Sequence, residues 1–193
     1  MKIILGSASK SRQSVLDKLG LTYEVKPADI DEKAIRDNDP IKLTMTLAKA
    51  KADALVSKIK CDEPTILITA DQVVIYKGEL REKPVDEAEA KRFLQSYGDE
   101  STIHINGVAV TNLISGEQAV GSAVAKVYWR SVDIEVINSY VESGKCFNHA
   151  GGFDLNEPTL RPFYIKVEGG EDSARGLPWE LVKDLAKQVG IEL

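Results

Sequence analysis

Residues 65–76 read TILITADQVVIY, two β-branched and apolar runs broken by Ala70-Asp71-Gln72. Runs of this kind are too continuous for a half-solvated strand and too short to cross a bilayer, so they predict two core strands of a sheet. A carboxylate set between them is costly unless a metal, a cation or a proton compensates it. Asp71 is therefore a candidate functional group, although a strand-end aspartate paired with a nearby lysine satisfies the same pattern.

The other segments fall around that sheet. Lys2 to Gly6 is a second buried strand, followed by a helix that Ser9 or Ser11 caps, that buries Val15, Leu16 and Leu19, and that Gly20 ends. Thr22 to Lys26 alternates like a strand, and residues 28–38 form an acidic loop. Asp39-Pro40 opens a long helix with Leu43, Leu47, Ala48, Leu55, Val56 and Ile59 on one face. Asp86 caps a helix to about Tyr97, and Ile103 to Asn112 with Glu117 to Arg130 make a hairpin about Ser115-Gly116. Helices at Asp133 to Ser143 and Trp179 to Val189, the latter with Leu181, Val182 and Leu185 inward, flank loops around a short strand at Phe163 to Val167. The expectation is an α/β protein whose sheet contains antiparallel pairs.

Charge narrows the partners. With 25 Lys+Arg against 30 Asp+Glu the net charge is −5, and no basic segment is long enough to replace counterions along a nucleic-acid backbone. Cys61 and Cys146 lack a second cysteine or a histidine at metal-ligand spacing, which argues against zinc and structural disulfides. No apolar run spans a membrane, and Met1-Lys2 leads straight into IILG without a signal-peptide core, so the expected location is the cytoplasm.

A small polyanion suits Ser7-Ala8-Ser9-Lys10-Ser11-Arg12, placed where a buried strand gives way to a helix. Free N–H groups, the positive helix end, three hydroxyls and a guanidinium face one anion there. A serine-rich cap with a solvent-facing arginine fits the same residues. Asp29, Asp31 and Glu32 form a second acidic group, and two carboxylate groups near a phosphate loop are what Mg²⁺ uses. Lys49 and Lys51 differ by about 200° of helix rotation, so only one of them reaches inward. Lys83 precedes Pro84 and is held extended, whereas His104 and His149 have no nucleophile partner.

Together ILGSASKSR at 4–12, DIDEK at 29–33, LAKAKA at 47–52, TADQVV at 69–74, EKP at 82–84, AGGF at 150–153 and GLP at 176–178 resemble the Maf family, in family order and over nearly the whole chain. The resemblance implies nucleoside triphosphate pyrophosphatase activity, which cuts between the α- and β-phosphates. It implies a single domain over 1–193 with the elongated mixed-sheet α/β fold of inosine-triphosphate pyrophosphatases, two lobes around a central cleft, and a homodimer. It assigns Ser7, Ser9, Arg12, Lys51 and Lys83 to the substrate, Asp71 to proton acceptance, and Glu32 to the acidic loop. Mg²⁺ or Mn²⁺ would be held by Glu32 and Asp71, with Glu32 an alternative for activating the water.

The base-choosing positions are less uniform. Gln72 follows the aspartate as in the branch similar to 7-methyl-GTP enzymes, where the thymidine and uridine branch has Thr. The former branch also carries Trp before the loop arginine and Glu after AGG, where this chain has Ser11, and Asn156 followed by Glu157. The expected substrates are 7-methyl-GTP or the pyrimidine triphosphates UTP, CTP, dTTP, 5-methyl-UTP and pseudo-UTP. The alternative is a non-enzymatic nucleotide- or partner-binding regulator of cell division.

Overall fold

A computed structural model describes residues 1–193 and shows a mixed α/β protein. The strands are β1 (Lys2–Leu5), β2 (Glu24–Val25), β3 (Thr65–Tyr76), β4 (Glu79–Arg81), β5 (Thr102–Asn112), β6 (Gln118–Trp129) and β7 (Tyr164–Glu168). They form one sheet of order β2-β1-β3-β5-β6-β7, with β4 paired to β3. The pairs β1/β2 and β1/β3 are parallel, and β3/β4 and β6/β7 antiparallel. The helices are α1 (Lys10–Lys18), α2 (Pro40–Val56), α3 (Glu87–Ser96), α4 (Ile134–Glu142), α5 (Glu171–Ala174) and α6 (Trp179–Gln188).

The chain divides into two compact units, one of residues 1–71, 106–123 and 175–193, the other of 72–105 and 124–174. In the first, β1 alternates between two cores. Ile3 and Leu5 pack with Val15, Leu16, Val182 and Leu185, while Ile4 faces Ala48, Ala52 and Leu55 of α2. A parallel strand covered on both faces has to be apolar wherever it is covered, which is why Ile3, Ile4 and Leu5 show no alternation after the half-buried Lys2. The second unit centres on aromatic rings, where Trp129 packs edge-on against Phe153 at 4.6 Å and Tyr164 at 4.5 Å.

The caps fall where short-range chemistry places them. Asp39 accepts from the N–H groups of Ile41 and Lys42, Asp86 from that of Glu89, and Ser9 from that of Arg12. Four expectations are corrected. Residues 65–76 form one unbroken strand, the alternating stretch 22–26 pairs only at Glu24–Val25, Leu19, at the C-cap of α1, is exposed rather than buried, and Val56, the last residue of α2, is exposed rather than part of its apolar face. No helix is long and apolar enough to cross a membrane.

Candidate active site

Register places the phosphate-loop residues beside Asp71. Leu5 of β1 lies opposite Ile68 of β3, and the Gly6 N–H donates to the Ile68 carbonyl at 2.8 Å, so the chain leaves β1 alongside the end of the TILITA run. A side chain at Gly6 would meet the Thr69 methyl at 2.5 Å and a Leu55 methyl at 2.8 Å, so the close fit of β1, β3 and α2 requires glycine there. Ser7 is buried, and its hydroxyl accepts from the Ser9 N–H at 3.3 Å and from Arg12 Nη1 at 3.0 Å. Arg12 Nε donates to the Gly176 carbonyl at 2.9 Å. The guanidinium is thus anchored at two of its five N–H groups, with the others left to meet a planar oxyanion. Burial lowers its pKa, and the carboxylates of Asp71 and Glu32 oppose that pull.

On α2, Leu43, Leu47, Lys51 and Leu55 recur every fourth residue and are all buried, so Lys51 projects from the apolar face while Lys49 pairs with Asp53 outside. Lys51 is 7% exposed, and its Nζ donates to Asp71 Oδ1 at 2.7 Å and lies 3.0 Å from Glu32 Oε1. Asp71 is equally buried, and its second oxygen makes no bond within the protein. Glu32 comes from a single 3₁₀ turn, Glu32–Ala34, that Asp31 caps through the Lys33 N–H. The strand therefore runs through Asp71 without a break because the ammonium of α2 compensates its charge. Thr69 fixes the spacing by donating its hydroxyl to the Ala48 carbonyl at 2.7 Å.

Two carboxylates from different elements converge on one nitrogen, and nowhere does a set of three or more His, Cys, Asp or Glu side chains that could hold a metal come together. That donor set is too sparse for an all-protein metal cage. It fits a hard ion that arrives with phosphate oxygens and keeps part of its water.

The remaining sequence-derived positions lie in different surroundings. Ser11 is buried on α1. Gln72, in the second unit, donates its amide to the carbonyls of Ser173 and Ala174, both at 3.2 Å. Asn156 is exposed, and its N–H donates to Asp154 at 2.9 Å; Glu157 is buried and receives Lys145 Nζ at 2.8 Å, which lowers its pKa. Lys83 follows Glu82, whose carbonyl accepts from the N–H of Gly151; burial lowers the pKa of His149, the Asp154 carboxylate opposes that, and the Lys83 charge adds to the lowering. Sequence reasoning missed the Gly176 carbonyl, because a backbone acceptor leaves no trace in residue type. It also missed Arg81, which is buried among Tyr76, Phe93 and Tyr97 with its guanidinium 4.7–5.0 Å from each ring.

His104 plays a structural part. The Ala174 carbonyl 3.1 Å from its Nδ1 can only accept, so Nδ1 carries the proton and Nε2 accepts from the Thr102 hydroxyl at 3.2 Å. Burial pushes the His104 pKa down to about 4. A histidine kept neutral when folded stabilises above its unfolded pKa near 6.5, and that contribution is lost as pH falls toward 4. Lowering the pH from 6.5 to 5 should therefore remove about 1.5 kcal/mol of stability in all through this residue, with the depressed His149 acting in the same direction. Urea denaturation across this range checks it, and a flat profile would show that His104 titrates in the fold as it does in the unfolded chain.

The sequence is similar to those of known proteins. The family model described as Maf-like protein matches residues 2–189. The chain is 36% identical over 192 residues to a 7-methyl-GTP pyrophosphatase of Dictyostelium discoideum, covering 97% of this chain and 96% of that protein. It is 33% identical to a 7-methyl-GTP pyrophosphatase of Idiomarina loihiensis, over 99% of this chain and 96% of that one. A dTTP/UTP pyrophosphatase of Caldanaerobacter subterraneus is 32% identical, with coverage of 97% and 89%.

Proposed function

The chain belongs to the Maf-like protein family, and from that premise we propose that it is a nucleoside triphosphate pyrophosphatase, a hydrolase that releases a nucleoside monophosphate and pyrophosphate. The observation that carries the reading is the buried Lys51–Asp71 pair beside the Ser7–Arg12 loop, a cation and a carboxylate next to an anion cradle. A fold needs no such arrangement for stability, since a buried ion pair is replaced at little cost by apolar residues.

Ser7, Ser9 and Arg12 would grip the triphosphate, and Lys51 would offset its charge. Asp71 would orient a water at its free oxygen and take its proton as the oxygen bonds to the α-phosphorus, while the bond from that phosphorus to the α–β bridging oxygen breaks and pyrophosphate leaves with the electron pair. Glu32 is the competing base. Mg²⁺ or Mn²⁺ bound with the nucleotide at Glu32 and Asp71 would add fixed positive charge on the phosphate oxygens. Lys83 keeps the role that the resemblance gives it, a second cation for the phosphates. The names of the Dictyostelium and Idiomarina relatives, with Gln72 after the aspartate, favour 7-methyl-GTP, ahead of UTP, CTP, dTTP, 5-methyl-UTP and pseudo-UTP. The same reading takes the protein as a cytoplasmic homodimer.

Pyrophosphate release from that nucleotide panel, with ITP added, tests the reading. Turnover of at least one member with Mg²⁺ is expected, and binding without release from any of them overturns it. Arg12→Lys should raise KM by about tenfold or more with little change in Tm, because an ammonium cannot hold both the Gly176 carbonyl and the Ser7 hydroxyl and still present a fork. Steady-state kinetics beside a melting curve separates the two effects.

A further inference from the structure

We propose that Lys51 is the resident counter-ion of this site: its ammonium occupies the place between Glu32 and Asp71 that a divalent ion would take, so metal enters only together with a nucleotide. The idea rests on the pyrophosphatase reading for the nucleotide's identity, but the geometry behind it stands without substrate. Asp71 has Lys51 as its ion-pair partner within bonding distance, and so does Glu32, although the two carboxylates come from β3 and from the Glu32–Ala34 turn. The ammonium is the bridge that joins them.

Its anchoring makes that bridge persistent. Leu47 and Leu55, one turn to either side, are buried, and Lys51 lies between them on the same buried face of α2. Lys49, two residues away on the exposed side, has no such hold and pairs within its own helix. A divalent ion entering between the two carboxylates would therefore meet a positive charge already within 3.0 Å of both. Adding only metal puts like charges together in a site with two carboxylates to share. Adding a triphosphate supplies several negative charges at once, gives the ammonium new partners among the phosphate oxygens, and frees the carboxylates for the ion. Metal and nucleotide then raise each other's affinity by the same factor, as linkage requires. Lys51 in this scheme sets the order of binding, a role separate from offsetting charge during the reaction.

The experiment uses Mn²⁺ alone, without nucleotide, followed by the loss of the free-ion paramagnetic signal and by the Mn²⁺-dependent rise in Tm. Lys51→Met should bind Mn²⁺ at least tenfold more tightly than wild type and gain a Tm rise that wild type lacks. Lys51→Arg, which keeps a cation, should behave as wild type, and Lys51→Met combined with Asp71→Asn should lose the gain. Lys51→Gln, with a hydrogen-bonding head in place of the ammonium, repeats the test should the methionine variant fail to fold. The proposal is overturned if neither neutral variant binds Mn²⁺ more tightly than wild type. It is overturned equally, whatever the variants do, if wild type alone binds Mn²⁺ saturably in the micromolar range. Because no turnover is measured, a negative result here leaves the pyrophosphatase reading standing, and absent pyrophosphate release leaves this result standing.

Discussion

Asp71→Asn should lower pyrophosphate release by about 10²–10⁴-fold, the usual contribution of a positioned general base, while nucleotide affinity measured without divalent metal changes only a few-fold. Asparagine has the shape of aspartate, and its carbonyl oxygen can still accept from Lys51 Nζ where Oδ1 now stands 2.7 Å away. What it cannot do is take a proton at the oxygen that points away from Lys51. The loops that hold the triphosphate are anchored elsewhere, through Ser7, Ser9 and Gly176, so the ground state should be spared. Steady-state kinetics with 7-methyl-GTP and UTP, together with nucleotide binding to the inactive variant, gives kcat and affinity separately. A kcat within tenfold of wild type would remove Asp71 as the base and pass that assignment to Glu32, for which Glu32→Gln is the corresponding test. Melting curves of both variants are needed as well, because breaking a buried ion pair costs stability by itself.

Features set by neighbours in sequence were the legible ones. Asp39-Pro40 and Asp86 each announce a helix start because the capping carboxylate and the N–H groups it binds lie within three residues. Gly6 to Arg12 is legible for the same reason, a strand, a hydroxyl-rich loop and a helix in uninterrupted order. Residues 65–76 misled because Asp71 looks like a break when only its strand is considered. The charge that lets the strand continue is twenty residues earlier on α2, beyond any local pattern. A signal for it existed, since Lys51 is four residues from both Leu47 and Leu55 and Lys49 is not, so the helical period alone selects the inward lysine. The alternation at 22–26 failed differently. The parallel pairing with β1 is limited to Ile4 opposite Glu24 and Leu5 opposite Val25, and alternation reports exposure without reporting strand length. Base selectivity is the least legible layer, because Gln72 and Glu157 are both engaged by neighbouring groups in the fold, and residue type does not separate that engagement from contact with a base.

Gly107→Ala should destabilise the protein by about 3 kcal/mol or more, at or above the upper end of ordinary overpacking. A β-carbon at Gly107 would stand 2.2 Å from both the carbon and the oxygen of the Thr44 carbonyl and 2.4 Å from the Met45 nitrogen. Those atoms are helix backbone and have no alternative rotamer to move into. Relief requires α2 to lift from β5, against the Thr69 hydroxyl that holds the Ala48 carbonyl and the packing of Ala48, Ala52 and Leu55 on Ile4 and Leu67. For a chain of this length a loss of about 3 kcal/mol lowers Tm by roughly 6–12 °C. Gly116→Ala is the matched control. Nothing lies within 4 Å of its β-carbon, but its φ of +78° is strained for alanine, which costs about 1–2 kcal/mol. If α2 is clamped as described, Gly107→Ala melts well below Gly116→Ala. It also loses turnover at temperatures where it is still folded, because lifting α2 withdraws Lys51 from Asp71 and Glu32. Equal melting temperatures would mean that α2 and β5 separate at little cost, and the spacing that brings the ammonium to its carboxylates would then have to come from β3 alone.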